Sequence, residues 1–285
     1  MEAVIHLVDA SFKKDKLSNY HLSIQIHNHT LSVCITDIKQ STAVAVWSLN
    51  SKYPLVFTEK SDDFLTGALN KCPLPLNGSY GKTNVSIASS VFTFVPQPLF
   101  DKTQLRNYIE LNCGTVEHGE LMHDTIEHEN MILGYIVPDQ VKEVLDKSLG
   151  EFNLIHHSNV FLNSITGDFN SNDTELYVNY KHNQLELLYF NNAKFHHGNI
   201  YKIGAPEDVL YYILNSCEQL KLNPQNIKLV LLGAIKTGDK IHQLSFSYFD
   251  KIQFGAIQSK FKIAPALNDL SKHYFYTLYK QYLCE

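Results

Sequence analysis

An internal repeat constrains this chain more than any other feature. Residues 22–37 read LSIQIHNHTLSVCITD and residues 176–191 read LYVNYKHNQLELLYFN, aligned without a gap at an offset of 154. Leu22 matches Leu176, Ile24 matches Val178, Leu31 matches Leu185 and Val33 matches Leu187. The same offset lays Val46-Trp47-Ser48-Leu49 on Ile200-Tyr201-Lys202-Ile203. Each segment alternates apolar and polar residues and is rich in β-branched and aromatic side chains, the pattern of a strand with one face more buried. His27-Asn28-His29-Thr30 and Lys181-His182-Asn183-Gln184 stand where hairpin turns belong. A three-stranded antiparallel meander is therefore predicted to open each half.

The rest of the second half is equally regular. Gly204-Ala205-Pro206-Glu207-Asp208 starts a helix, with proline near its first position and acids complementing the dipole. Val209, Leu210, Ile213, Leu214, Cys217 and Leu220 give that helix one apolar face. Lys228 to Gly233 reads as a short buried strand, Asp239 to Phe249 as a helix and Lys251 to Phe254 as a strand. The order is β-β-β-α-β-α-β. The first half starts alike, with a helix from Ser61-Asp62-Asp63 to Leu69 and a strand from Val85 to Phe94. It then departs: Asp101 to Asn112 is predicted helical, and Asp124 to His128 with Met131 to Val137 reads as a hairpin or edge pair. A helix opens at Pro138-Asp139, a strand covers Asn153 to His156, and Ser164 to Asp173 is the most loop-like stretch. These signals divide the chain into a first half, 1–170, with an α+β insertion at about 96–137, and a second half, 171–285. Pro265 to Glu285 reads as one closing helix that can pack back on the first half.

Two tandem βββαβαβ halves, the first with an insertion, resemble the ribonuclease-H-like (actin-like ATPase) fold, an α/β architecture. That superfamily includes actin, the 70-kDa chaperones, sugar kinases and actin-like proteins of pilus assembly. With its Leu22-Ser23-Ile24-Gln25-Ile26 opening strand, the chain is also similar to a bacterial family of unknown function assigned to that fold. In active members the first hairpin carries Asp-x-Gly: the carboxylate organises Mg²⁺ through water, and the glycine lets backbone N–H groups approach the phosphates. The resemblance places Gln25 at the aspartate position and His27 at the glycine position. In the second half it places Asn179 and Lys181 there. Both carboxylates have become amides and both glycines have gained large side chains. The adenosine motif, two apolar residues followed by Gly-Gly, is half kept as Leu231-Leu232-Gly233-Ala234. Gln25, His27, Asn179, Lys181 and Gly233 are thus the positions of a degenerate nucleotide site.

Composition narrows the function classes. A net charge of −5 over 285 residues gives no general attraction to phosphate backbones or anionic membranes, so no nucleic-acid partner is expected. No run of about 18 apolar residues occurs, so no direct membrane insertion is expected. No signal peptide is read at the start, and five widely spaced cysteines suit reduced thiols. A cytoplasmic location follows as the expectation.

Other motifs fall short of a chemistry. Gly81-Lys82-Thr83 matches the end of a phosphate-binding loop, but position 76 is Leu76 and a strand, not a helix, follows. A two-metal nuclease needs a carboxylate on the first central strand, where Ser23, Gln25 and His27 supply none and Asp9 lies ahead of the repeat. His118, His123, Glu127 and His128 offer metal-ligating atoms, yet the spacing of 123 and 128 suits neither one face of a strand nor one face of a helix. The pairs His156-His157 and His196-His197 are predicted to face opposite ways on strands. No Gly-x-Ser-x-Gly elbow exists, and no cysteine has a sequence-near basic partner. The expectation is a non-catalytic interaction or scaffold module without a cofactor, whose partner is another protein or a further copy of itself. The alternative is a nucleotide-binding ATPase or kinase that holds ATP through a rearranged phosphate site including Lys181 and His27. A weaker alternative is metal binding at His118, His123 and His128.

Overall fold

The computed structural model describes residues 4–116, 119–166, 173–257 and 261–284. They form two compact units, one of residues 1–163, 260–269 and 277–285 and the other of residues 164–259 and 270–276.

The first unit begins with β1 (Val4–Val8), followed by the meander β2 (Tyr20–Ile26), β3 (Thr30–Asp37) and β4 (Thr42–Asn50). Helix α1 (Ser61–Asn70) leads to β5 (Lys82–Ile87), which runs parallel to β2. An insertion follows: β6 (Phe92–Pro96), α2 (Leu105–Cys113), β7 (Glu120–Ile126) and β8 (Met131–Val137). Its strands form a separate three-stranded sheet in the order β6-β8-β7, covered by Leu105 and Ile109 of α2. Helix α3 (Asp139–Ser148), which packs on α1, returns the chain to β9 (Asn153–His156) beside β5, and α4 (His157–Thr166) follows. The main sheet runs β1-β4-β3-β2-β5-β9.

The second unit repeats the plan with β10 (Thr174–Lys181), β11 (Gln184–Asn191), β12 (Lys194–Lys202), α5 (Pro206–Gln219), β13 (Lys228–Gly233), α6 (Lys240–Ser245) and β14 (Lys251–Phe254). Its sheet runs β12-β11-β10-β13-β14, the same order as β4-β3-β2-β5-β9. Leu176, Val178, Leu187, Leu229 and Leu231 meet Val209, Ile213 and Cys217 of α5 in one apolar core. The start of α5 is held by the Asp208 carboxylate, which accepts from the Gly204 and Ala205 amides at 2.9 Å each. Finally β15 (Lys262–Ile263) pairs with β4 in the first unit, and α7 (Tyr276–Lys280) precedes a single turn, Gln281–Leu283.

Register shows how deep the repeat runs. Leu22 pairs with Ile35 and Gln25 with Ser32; at the offset of 154, Leu176 pairs with Tyr189 and Asn179 with Glu186. A register shift falls between Ile35 and Thr36 and again between Tyr189 and Phe190, the equivalent position. Bulges re-aim a strand and rarely coincide by accident.

The structure corrects several expectations. Val33 pairs with Trp47 whereas Leu187 pairs with Asn199, so the third strands do not correspond at an offset of 154. The turn from Asp37 to Thr42 is two residues longer than the turn from Asn191 to Lys194, which slides the ladder by two. The strand expected from Val85 to Phe94 is two strands in different sheets, β5 and β6. His157 opens α4 instead of lying on a strand with His156, and that helix continues to Thr166, inside the stretch expected to be loop. The helix expected over 239–249 is only Lys240–Ser245. The single closing helix is replaced by the turn Pro265–Leu267, then α7 and Gln281–Leu283.

Candidate functional site

Strands β2 and β5 are buried on both faces, and the faces differ in chemistry. Leu22, Ile24, Ile26, Val85 and Ile87 form the apolar face; His21, Ser23, Gln25, Asn84 and Ser86 alternate with them on a buried polar face. Buried polar atoms need partners. Ser23 Oγ bonds His21 Nδ1 at 3.0 Å, whereas Gln25, Ser86 and Asn84 Nδ2 find theirs in the chain's last described residues, 277–284, which lie in the same unit.

Gln25, at the position of the Mg²⁺-organising carboxylate, is 1% exposed and its amide is engaged at both ends. Nε2 donates to Gln281 Oε1 at 2.9 Å, and Oε1 accepts from Thr277 Oγ1 at 3.1 Å. Gln281 is fully buried. Its Oε1 also accepts from Ser86 Oγ at 2.9 Å, and its Nε2 donates to the carbonyls of Ile24 at 3.0 Å and Asn84 at 2.7 Å. Asn84 Nδ2 extends the network to the Cys284 carbonyl at 2.8 Å, as does Lys82 Nζ at 3.2 Å. Lys82 of the Gly-Lys-Thr string is thus a strand residue turned to a carbonyl.

His27 closes the β2–β3 hairpin, its amide donating to the Thr30 carbonyl at 2.8 Å. Its imidazole is buried against the ring of His157, edge-on at 4.5 Å between centroids. His157 Nε2 lies 3.2 Å from Thr277 Oγ1. Since that hydroxyl gives its proton to Gln25, His157 donates to it through Nε2–H. Gln25 and His27 therefore belong to one buried chain of groups through Thr277 and His157. The bulk at position 27 occupies space that a glycine would leave open.

In the second unit, Lys181 pairs with Gln184 across the two-residue turn His182-Asn183, where His182 has φ +46°. Lys181 is 4% exposed; its Nζ donates to the Tyr274 carbonyl and lies 4.4 Å above the Tyr274 ring and 4.9 Å from that of Phe275. Burial pulls its pKa down to about 7. The unfolded chain therefore binds the extra proton between about pH 7 and 10.4, and this lysine's contribution to stability grows as pH rises through that window. Lys181→Met should remove the trend: relative to the variant, wild type gains on the order of 2–3 kcal/mol between about pH 7 and pH 9.5 in urea unfolding. Parallel pH profiles for the two proteins would refute the assignment.

Asn179, also buried, has Oδ1 2.8 Å from where a Cβ would stand on Gly233, and its Nδ2 has no hydrogen-bond partner among the described residues. Gly233 ends β13 at φ +77°, its amide donating to the His273 carbonyl at 2.9 Å, while Ala234 N–H donates to the Tyr180 carbonyl at 2.7 Å.

The remaining candidates lie apart. His123 of β7 packs on Phe100 at 5.3 Å, whereas His128 bonds Asn163 Oδ1 at 2.5 Å; His118 lies outside the described residues. Among the described residues no three His, Cys, Asp or Glu side chains are grouped to hold an ion. Asp9 accepts from Ser11 N and Oγ and from Ala266 N, a turn-capping role. Burial pushes the thiols of Cys34, Cys72 and Cys284 up to about 12 and that of Cys217 up to about 11, which leaves them protonated and poor nucleophiles.

Sequence reasoning missed Gln281 and Thr277, and it gave His157 and Asp124 no place in a buried hydrogen-bond network. Asp124 of β7 accepts from Tyr135 Oη at 3.0 Å, His156 N at 2.8 Å and Asn159 Nδ2 at 3.2 Å, tying the insertion to the start of α4; burial raises it to about 6 against those three donors. A signal for Gln281 and Thr277 was present: alternate polar residues on strands buried on both faces require polar groups to cover them.

The duplicated sheets and their order define an actin-like ATPase fold of the ribonuclease-H-like class. The chain belongs to the family described as "Protein of unknown function (DUF3822)", which matches residues 9–252. It is similar to a crystal structure from Bacteroides thetaiotaomicron described as a protein with actin-like ATPase fold and unknown function. That match has a TM-score of 0.73 and 18% identity and covers 97% of this chain and 100% of the other. It is also similar to a chain of the PilM-PilN type IV pilus biogenesis complex, with a TM-score of 0.63, 10% identity, and coverage of 92% and 98%. No curated protein sequence matches the chain. Among the described residues no helix is long and apolar enough to cross a membrane.

Proposed function

We propose that this protein is a non-catalytic member of the actin-like fold, acting as a protein-interaction or scaffold module. The observation that carries the reading is the state of Gln25. A neutral amide stands at the carboxylate position, and both ends of it are committed to Thr277 and Gln281 within the same unit. A hard cation prefers charged oxygen ligands, and Gln25 and Asn179 supply no charge. Lys181 supports the reading, because its buried amino group is held by the Tyr274 carbonyl and the rings of Tyr274 and Phe275, and burial disfavours the charged form that a phosphate would need. The likeness to a chain of a pilus biogenesis complex supports a binding role by analogy of fold, not of site.

Thermal unfolding with and without Mg-ATP or Mg-ADP tests this. A ligand at 100 times its Kd stabilises the folded chain by about 2.7 kcal/mol, a rise of roughly 5–10 °C for a chain of this size. The expected result at about 5 mM nucleotide is a shift below about 1 °C. A saturable, Mg²⁺-dependent rise would favour the nucleotide-binding reading in its place.

A further inference from the structure

Strand β1 ends the main sheet of the first unit and, among the described residues, pairs only with β4. Asp9 N–H donates to the Val44 carbonyl at 2.8 Å, which fixes the alternation along this strand. Odd-numbered residues direct their main-chain groups at β4, so the N–H and C=O groups of Val4, His6 and Val8 point to the free edge. The side chains of the same three residues are exposed, Val4 to 55% and Val8 to 41%.

Natural edge strands are usually blunted by lysine, proline, a bulge or shortness. The edges of the other main sheet follow that rule: β12 has Lys194 and Lys202 at its ends and carries a bulge at His196, and β14 is four residues long and begins with Lys251. Strand β1, Val-Ile-His-Leu-Val, carries no lysine, proline or bulge and, at five residues, has the ordinary length of a strand. It is also self-complementary. Read backwards it is Val-Leu-His-Ile-Val, so an antiparallel copy centred on His6 sets Val against Val, Ile against Leu and His against His. An isologous two-fold interface requires this property of a surface.

We infer that β1 is a self-pairing edge, on which a second copy of this chain docks its own β1 antiparallel about His6 and joins the two main sheets. Val4, His6 and Val8 would exchange about six main-chain hydrogen bonds with the second copy. A five-residue strand pair buries less than the roughly 1,200–2,000 Å² of a standard stable interface, so the dimer is weak and concentration-dependent. The inference rests on the interaction-module reading and names one partner for it. It fails on different data, since a strictly monomeric chain that still ignores nucleotide would remove self-pairing and leave that reading in place.

Sedimentation equilibrium of the full chain from about 5 to about 500 µM tests it. Wild type is expected to pass from monomer to dimer across that range. In the antiparallel register, Val4→Lys with Val8→Lys sets two pairs of like charges face to face, whereas Val4→Lys with Val8→Glu sets two opposite pairs. The first variant should associate at least about tenfold more weakly than the second, with both folded, because these positions are exposed. Wild type that stays monomeric at the highest concentration, or a dimer equally tight in both variants, would overturn the inference.

Discussion

Gln281→Ala is expected to lower the unfolding free energy by about 3–5 kcal/mol, or roughly 10 °C in Tm, measured by urea and thermal unfolding. The size follows from what one side chain does. Gln281 is fully buried and satisfies Gln25 Nε2 and Ser86 Oγ while bonding two strand carbonyls. Truncation strands the Gln25 donor, costing about 1–3 kcal/mol, and leaves a cavity that the strands cannot close. Gln281→Glu is the sharper variant. A carboxylate would face the Ile24 and Asn84 carbonyls with no hydrogen to offer, so at neutral pH it should be at least as damaging as alanine, with partial recovery on acidification. A loss under about 1 kcal/mol for both variants would mean that the last described residues do not hold the polar face.

Gly233→Ala is expected to cost at least about 4 kcal/mol and to disrupt the second unit. At φ +77° a side chain is strained, and the added Cβ would stand 2.1 Å from the Tyr180 carbonyl oxygen and 2.8 Å from Asn179 Oδ1. The first obstacle is main chain, in the strand next to β13, and it accepts the Ala234 amide, so it cannot step aside without breaking that bond. The control is Gly238→Ala, also at positive φ (+80°) but with open space around its Cβ, which should cost only about 1–2 kcal/mol. Equal losses at 233 and 238 would show that conformation alone, not the close approach, fixes glycine there. The outcome bears on function as well. A glycine demanded by packing is kept whether or not adenosine ever binds beside it.

Much of this fold was legible because it is local or repeated. Period-two alternation marked β2, β3, β10 and β11, and their registers agree residue for residue at the offset of 154. The third strands escaped because the number of residues in a turn, not hydropathy, sets register after it. Helix α4 escaped because His157-Ser158-Asn159 carries polar residues where its first turn is buried, and burial is a tertiary fact. The apolar spacing of the closing segment predicts one helix; in the structure its polar residues Thr277 and Gln281 turn to the strands, and its end is limited to α7 and a final turn. At the site, the substitutions at 25, 27, 179 and 181 were legible only through the resemblance, whose motif falls on the first hairpin of each half. The groups that engage them could not, since Gln25 and Gln281 are separated by 256 residues.

That separation also governs how the first unit is built. Strands β2 and β5 can pair early, but their polar face stays wet until residues 277–284 arrive, after the whole second unit has been synthesised. Contacts so distant in sequence are entropically slow to form, and a sheet waiting for them is exposed to wrong partners. The N-terminal unit is thus the last to be finished, and its refolding should be slower than that of the more locally wired second unit.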